Sequence, residues 1–479
     1  MSLRIDGGTV VGWSGTQHEL VPDGSVLIEG DTIKSVGRAR PPADRVIDAS
    51  GKLVCPGFIN LHVHSQMNVG DYLLTDATRG DYMFANYFVF AGLSKERMPQ
   101  MPKEAVAMGR AYSQLSALRN GSTTILDPGG PPGDLDDYVA IVGRIGGRVF
   151  TSPSYRSRDT FADASGRFSY EDRADGGKSG LQAALDFVRK FNNAHGRLHA
   201  FLIPSQAETC SPALFKETMV AARELGVGVH THAGGNLREF VDILYNHRRS
   251  PIEYLGDCGV LGPRTVLGHA VFIGGHSRVP YHGDDLALLA ETGTSVGHCP
   301  YKYAKFGAAL ESFDRYLGRG INVGLGTDTF PFDIVAEMRW AAMISRIMEG
   351  DQRAGRAADV FNAATIGGAR ALGRDDLGRL APGAKADLLV INQRDVRYGL
   401  VRDPINALVD AGCGADVETV VVAGEVVVDK GASTRVDSDA MYRDAERLAR
   451  NAWDNWARRD FAGRSVDQIV PPAFPTRAS

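Results

Sequence analysis

Two pairs of histidines stand one residue apart, each pair at the end of a short apolar run. His62 and His64 close the run FINLHVH, and His230 and His232 close GVHTH. Side chains two positions apart on a strand leave the same face, so each pair can converge on one point. Neutral imidazole is a common zinc ligand. The pairs therefore indicate a metal site, although one such pair alone would not decide between a metal and ordinary core packing.

Two more polar residues end neighbouring apolar runs. His269 closes RTVLGH and Asp328 closes NVGLGTD. Buried histidine and aspartate side chains are costly without partners, whereas a divalent ion satisfies them together. A zinc-type ion with an open position also lowers the pKa of a water molecule from roughly 15.7 to about 7. Histidines and an aspartate at four run ends therefore point to hydrolytic metal chemistry.

The runs that carry these residues belong to a set of eight, and longer helical segments separate them. They are LVCPGFINLHVH, STTILDPGG, RVFTSPSY, HAFLIPSQAE, GVGVHTHAGG, RTVLGHAVF, TSVGHCP and NVGLGTDTF. Eight strand–helix units with buried strands predict an α/β fold, a distorted TIM (β/α)8 barrel. Barrel enzymes assemble their active sites at the carboxyl ends of the strands, which is where the polar residues fall.

The two ends of the chain have a different pattern. Residues 1–56 contain alternating runs such as GSVLIEGDTIKSVG, and residues 373–435 contain KADLLVINQ and TVVVAGEVVVDKG. These patterns predict antiparallel strands, and we expect both segments to form one small β-sandwich domain beside a barrel over 57–372. Residues 436–479 begin with an amphipathic stretch, which predicts a helical tail packed on a neighbouring surface.

Composition limits the classes of partner. The 479 residues carry a net charge of only −4, so no basic face for nucleic acid is expected. No uncharged apolar stretch reaches the length of a membrane span or a secretion signal. The five cysteines are scattered without CxxC spacing, which suits a reducing cytoplasm. We expect a cytoplasmic enzyme with a small-molecule substrate, assembled as a homo-oligomer, a dimer or larger.

The motifs FINLHVH, HTH, LGHA and GTDTFPFDIVAEMR resemble the amidohydrolase superfamily in order and spacing. The chain is most similar to the branch of chlorohydrolases and of guanine, cytosine and adenosylhomocysteine deaminases, and PGAKADLLVI extends the resemblance to the split sandwich domain. The resemblance implies one divalent ion, zinc before iron or manganese, with no second metal. Its implied ligands are His62, His64, His232 and Asp328. His269 would stabilise developing negative charge, and Asp328 would also move the proton of the water.

The sequence departs from that branch at three places. Deaminase relatives carry a glutamate three residues after the strand-five ligand, where this chain has Gly235, and Glu239 is expected on a helix facing solvent. Ser205 follows Pro204 where relatives have histidine. The segment HCPYKYAKFG replaces a Ser-Asn pair. The side chains expected to contact substrate, each with an ordinary structural role as the alternative, are Gln206, Glu208, His230, His298, Lys302 and Tyr87; for His230, support of a metal ligand is the stronger alternative.

The missing glutamate decides the predicted reaction. Hydrolysis of a C–N bond in an amide, urea, carbamate or lactam needs no proton on a ring nitrogen, so this reaction is the first expectation. The alternative is an aminohydrolase or chlorohydrolase of a nitrogen heterocycle, which the resemblance implies. A metal-binding homologue without catalytic activity is the third, because a fold does not fix a function.

Overall fold

The computed structural model describes residues 2–66, 71–78, 103–130, 137–162, 168–458, 460 and 462–475. The strands are Ser2–Trp13 (β1), His18–Glu29 (β2), Thr32–Gly37 (β3), Arg45–Asp48 (β4), Leu53–Pro56 (β5), Phe58–Asn60 (β6), Ser122–Leu126 (β7), Arg148–Thr151 (β8), Ser154–Tyr155 (β9), Arg158–Ala162 (β10), Phe168–Asp172 (β11), Leu198–Pro204 (β12), Gly228–Ala233 (β13), Thr265–His269 (β14), Ser295–His298 (β15), Val323–Leu325 (β16), Leu388–Ile391 (β17), Val417–Val422 (β18), Glu425–Asp429 (β19) and Ala432–Ser433 (β20).

The α-helices of the described residues lie mainly between the barrel strands. They are Lys103–Arg119 (α1), Tyr138–Ile145 (α2), Lys178–Phe191 (α3), Pro212–Leu225 (α4), Leu237–His247 (α5), Pro251–Asp257 (α6), Asp285–Thr292 (α7), Pro300–Lys305 (α8), Phe313–Gly318 (α9), Ile334–Glu349 (α10), Ala357–Asn362 (α11), Gly368–Ala371 (α12), Pro404–Ala411 (α13), Ser438–Asp454 (α14) and Val466–Ile469 (α15). Short 3-10 turns cover Asp71–Leu73, Ala207–Thr209, Val396–Tyr398, Gly414–Asp416 and Trp456–Arg458, and a π-helical turn covers Ala363–Gly367.

Eight parallel strands form the barrel, as the sequence predicts. Their order is β16-β15-β14-β13-β12-β8-β7-β6. The segment after β6 closes the circle on β16, because the Leu61 N–H donates to the Leu325 carbonyl at 2.8 Å and Val63 pairs with Asp328 in a parallel bridge. The α/β barrel class is therefore confirmed.

Apolar side chains fill the barrel below its carboxyl-terminal mouth. One buried cluster combines residues of five barrel strands with the helical turns that follow the last one: Ile59, Leu61, Leu126, Phe150, Phe201, Ile203, Val266, Ala369, Ala371, Leu372 and Leu377. Branched and aromatic residues pack well on a pleated surface that is buried on both faces. The interior of the barrel is thus a packed apolar core. The polar side chains at the strand ends lie at the mouth of the barrel.

A second sheet brings together strands from both ends of the chain. Its order is β20-β19-β18-β17-β5-β1-β2-β3, with β4 added beside β1. The change from this sheet to the barrel falls at Gly57, between β5 and β6. A Cβ at Gly57 would stand 2.1 Å from Thr123 Oγ1, so only glycine allows this close approach. The prediction of a strand-rich domain built from both termini is confirmed.

The amphipathic stretch near the end of the chain forms α14. The Asp437 side chain caps this helix by accepting from the Asp439 and Ala440 N–H groups. Its apolar side joins a cluster with Leu73 and Leu74, close to the first barrel loop. Among the described residues, no helix has the length and apolar character needed to cross a membrane.

Candidate active site

Backbone hydrogen bonds fix the first histidine pair at the barrel mouth. The Val63 N–H donates to the Leu126 carbonyl at 3.0 Å, and the His64 N–H donates to the Asp328 carbonyl at 2.7 Å. The segment is therefore held in extended form between β7 and the end of β16. Alternation sends both imidazoles to the same side, where their centroids lie 5.0 Å apart.

Five side chains bring donor atoms close together. His64 Nε2 lies 3.1 Å from His232 Nε2 and 3.4 Å from Asp328 Oδ1. His62 Nε2 lies 3.7 Å from the same Asp328 oxygen. The donor atoms of His62, His232 and His269 also fall within 4.8 Å of one another. These atoms come from the ends of four different barrel strands.

The hydrogen bond of His232 indicates which of its ring nitrogens carries the proton. Its Nδ1 lies 2.7 Å from the Ser205 carbonyl oxygen, which can only accept. The proton is therefore placed on Nδ1, and the lone pair of Nε2 is directed at the common point.

A second hydrogen-bonded chain orients His62. His230 Nδ1 lies 2.9 Å from the Val266 carbonyl, so it donates, and His230 Nε2 must accept from His62 Nδ1 at 3.0 Å. This leaves a lone pair on His62 Nε2, a buried atom with no hydrogen-bond partner in the part of the chain that the structure describes. Such an orphaned nitrogen, facing other lone pairs and a carboxylate, fits a bound cation.

The pKa values of these side chains also support a bound cation. Burial lowers the pKa of His62 and lowers those of His64 and His269 to about 4 and about 3. Burial alone would raise the pKa of Asp328, but the Lys302 ammonium and the nearby imidazoles lower it to about 2. The site therefore offers neutral nitrogen donors and an ionised carboxylate at neutral pH, which is the donor set of a divalent zinc-type ion.

His269 and Asp328 have strained backbones. Their φ angles are +85° and +62°, in the left-handed region that side-chain-bearing residues seldom adopt. Asp328 is held there on both sides, because its own N–H donates to the His62 carbonyl at 2.8 Å. Residues with strained backbone angles are found most often at functional sites, where surrounding contacts hold them in that conformation.

One of the expected substrate-contact residues, Lys302, lies next to the convergent donors, and another, His298, ends a barrel strand. Lys302 is on α8 and is buried, and its Nζ lies 2.8 Å from Thr329 Oγ1 and 3.7 Å from Asp328 Oδ2. His298 ends β15 and is buried, and burial lowers its pKa to about 3. Pro300 at the start of α8 is the sequence signal that could have placed Lys302 on a helix.

The other expected contacts lie in different surroundings. Gln206 is half-buried, and its backbone forms an isolated parallel β-bridge with that of His232. Glu208 is buried, and its Oε1 lies 3.4 Å from Arg238 Nη2. Both nitrogens of the fully buried His230 are engaged, which favours support of His62 over contact with substrate. Tyr87 lies outside the described residues.

Glu239 corrects one expectation. It lies on α5 but is 1 % exposed, so its predicted solvent-facing position is wrong. The Asn236 side chain caps α5, and the Glu239 carboxylate turns back to accept from the Gly234 and Gly235 N–H groups at 2.7 and 2.8 Å. The pattern N-x-x-E at the helix start was the available sequence signal for this arrangement.

Comparison with known proteins accords with this geometry. The model of the amidohydrolase family matches residues 53–427. This chain belongs to the amidohydrolase family. Over 458 residues, the amidohydrolase is 29 % identical to a 5-methylthioadenosine/S-adenosylhomocysteine deaminase of Natronomonas pharaonis, covering 94 % of this chain and 97 % of the relative.

Two further matches extend the comparison. A 5'-deoxyadenosine deaminase of Methanothermobacter thermautotrophicus is 30 % identical over 445 residues, with 90 % and 94 % of the two chains covered. The zinc-complexed atrazine chlorohydrolase of Arthrobacter aurescens superposes with a TM-score of 0.79 at 24 % identity, over 93 % and 100 % of the chains. This amidohydrolase is accordingly a hydrolase acting on C–N bonds other than peptide bonds, as predicted, and the alternative of a non-catalytic homologue is not supported.

Proposed function

We propose that this amidohydrolase deaminates the 6-amino group of an adenine nucleoside at a single zinc-type ion held by His62, His64, His232 and Asp328. The observation that carries the proposal is the convergence of neutral imidazole nitrogens and an ionised carboxylate at the barrel mouth. The substrate class is taken from the relatives of nearly full length, which are deaminases of adenine nucleosides. The expected homo-oligomer stays a prediction.

Different side chains would have different roles in the reaction. When bound, the ion would supply a water molecule of lowered pKa, available as a nucleophile near neutral pH. Asp328 would accept the proton of the attacking water and pass it to the departing amino group. Neutral His269, next to the attack point, would stabilise charge that develops on the adding oxygen. His230 would hold His62 in the tautomer that the ion requires.

A second candidate is the amide-type reaction predicted first from the sequence. It is favoured by Gly235, which supplies no acid for a ring nitrogen. The chlorohydrolase alternative rests on a likeness that shows the fold alone.

A substrate panel would separate these reactions. Zinc-loaded enzyme is incubated with adenosine, 5'-deoxyadenosine, methylthioadenosine, cyclic amides and ureas, and a chlorotriazine, while ammonia, ring-opened acid and chloride are measured. We expect ammonia and the corresponding 6-oxopurine from at least one nucleoside. Turnover confined to cyclic amides, or chloride release alone, would refute the proposal.

A further inference from the structure

The two carboxylate oxygens of Asp328 have different neighbours. Oδ1 lies 3.4 Å from His64 Nε2 and 3.7 Å from His62 Nε2, whereas Oδ2 lies 3.7 Å from Lys302 Nζ. The Asp328 backbone is fixed on both sides by hydrogen bonds with the backbones of His62 and His64, so the carboxylate can move mainly by rotation of its side chain. Because rotation exchanges the two oxygens, a neighbour that distinguishes them determines which one faces the imidazole nitrogens.

Lys302 is itself held in place. It is buried on α8, and its Nζ donates to Thr329 Oγ1 at 2.8 Å and lies 5.8 Å from the centre of the Phe306 ring. The start of α8 is tied to α10, because the Tyr301 N–H donates to the Glu337 carboxylate at 2.9 Å. The ammonium group therefore acts on Asp328 Oδ2 as a charge in a fixed position.

The contact between Lys302 and Asp328 is an ion pair without a hydrogen bond. At 3.7 Å the ammonium attracts Oδ2, and the attraction is stronger in a buried site than in water. The same distance is longer than that of a hydrogen bond, so the ammonium does not take up a lone pair of Oδ2. This oxygen is thus held away from the imidazole nitrogens and can still accept a proton.

The alternative arrangement of Asp328 would not serve the proposed reaction. Carboxylates bind divalent ions through one oxygen or through both. If both Asp328 oxygens bound the ion, neither would be available for the proton of the attacking water. Attraction of Oδ2 to Lys302 opposes the rotation that binding through both oxygens needs. The ammonium also repels the ion, so support of metal binding does not explain a lysine at this position.

We infer that Lys302 is a positioning residue that limits Asp328 to binding the ion through one oxygen and keeps Oδ2 for proton transfer. In the proposed reaction, Oδ2 accepts the proton of the attacking water and later passes it to the departing amino group. Lys302 keeps its own protons throughout. This inference rests on the proposed function.

The first test uses Lys302→Met, which keeps the length of the side chain and removes its charge. We expect the variant to bind zinc at least as tightly as the wild type, measured by competition with a chromophoric chelator, because a repulsive charge is lost. In the Co(II)-loaded protein we expect weaker visible absorption, because binding through the second oxygen raises the coordination number of the ion. Zinc binding weakened by more than about threefold, as for loss of an ordinary supporting residue, or an unchanged Co(II) spectrum would overturn the inference.

The second test compares kcat with the best nucleoside. We expect Lys302→Met to lower kcat by about 100-fold, as for loss of a general base, with KM within about threefold of the wild-type value. Lys302→Arg keeps a positive charge, and it should recover at least about tenfold of that loss together with the wild-type Co(II) spectrum. A kcat of Lys302→Met within about threefold of wild type, or no recovery in Lys302→Arg, would contradict the inference.

Lys305→Met is the matched control, because Lys305 is exposed on the same helix. It should leave zinc affinity, the Co(II) spectrum and kcat at their wild-type values. If Lys302→Met does not fold, Lys302→Gln, which keeps a hydrogen-bond donor for Thr329, replaces it with the same expectations. If the wild-type enzyme releases no ammonia from any nucleoside, the proposed function fails, whereas zinc affinity and the Co(II) spectrum still decide the role of Lys302.

Discussion

His230 offers the sharpest test of how the metal site is organised. It accepts from His62 Nδ1 at 3.0 Å and donates to the Val266 carbonyl at 2.9 Å, so it sets the lone pair of His62 Nε2. Replacement by leucine leaves a buried N–H on His62 without an acceptor, at a cost of about 1 to 3 kcal/mol. His62 can escape that cost only by moving its proton to Nε2, which removes it as a ligand.

Both outcomes weaken metal binding. We expect His230→Leu to bind zinc about 10- to 100-fold more weakly, or about 1.4 to 2.8 kcal/mol, the usual effect of losing an outer partner of a metal ligand. His230→Gln retains an amide oxygen for His62 and should recover part of the loss. Zinc affinity is measured by competition with a chromophoric chelator.

A histidine distant from the barrel mouth serves as the control. His199 is on β12 and its Nε2 lies 3.1 Å from Arg374 Nη1, without any of the convergent donors near it. His199→Leu should leave zinc affinity within about threefold of wild type even if it lowers stability. A His230→Leu enzyme that binds zinc as tightly as the His199→Leu enzyme would refute the tautomer argument.

Three further predictions concern charge, metal and stability. In the metal-free protein, Lys302→Met should raise the pKa of Asp328, because Lys302 is the main charge that lowers it there. An NMR titration of the carboxylate would then show protonation at higher pH, and Lys305→Met on the exposed face of α8 should leave that titration unchanged. Dialysis against a strong chelator should abolish ammonia release, and added zinc should restore it; full activity in metal-free enzyme would contradict the site. Asp387→Asn leaves the buried Arg148 guanidinium, whose Nε lies 2.9 Å from Asp387 Oδ2, without its counter-charge, and should lower the free energy of unfolding by about 3 to 5 kcal/mol, seen as a fall in Tm. Asp351→Asn, at the exposed pair with Arg353, should leave Tm nearly unchanged.

The sequence predicts the barrel well because the barrel depends on local periodicity. Each of the eight apolar runs contains a barrel strand, and a polar residue at the end of such a run is placed at the mouth by the fold alone. The spacing in FINLHVH is enough to send His62 and His64 to one side. The run LVCPGFINLHVH is nevertheless divided between two sheets at Gly57, which periodicity cannot reveal because both parts are buried strands.

Tertiary contacts decide what the sequence could not. Lys302 looks like a solvated lysine until the end of β16 brings Asp328 and Thr329 to it. The same holds for His230, whose role depends on a carbonyl of the neighbouring strand β14. In both cases the interacting residue is remote in the sequence, so no local pattern predicts the contact.

Glu239 shows how one local feature changes where a side chain lies. A glutamate near the start of a surface helix is expected to face solvent. The Asn236 cap reverses that direction and brings a carboxylate onto the two glycine N–H groups. The Glu239 carboxylate therefore satisfies two backbone donors at the strand end, and the pattern N-x-x-E is the one local signal from which its burial could have been predicted.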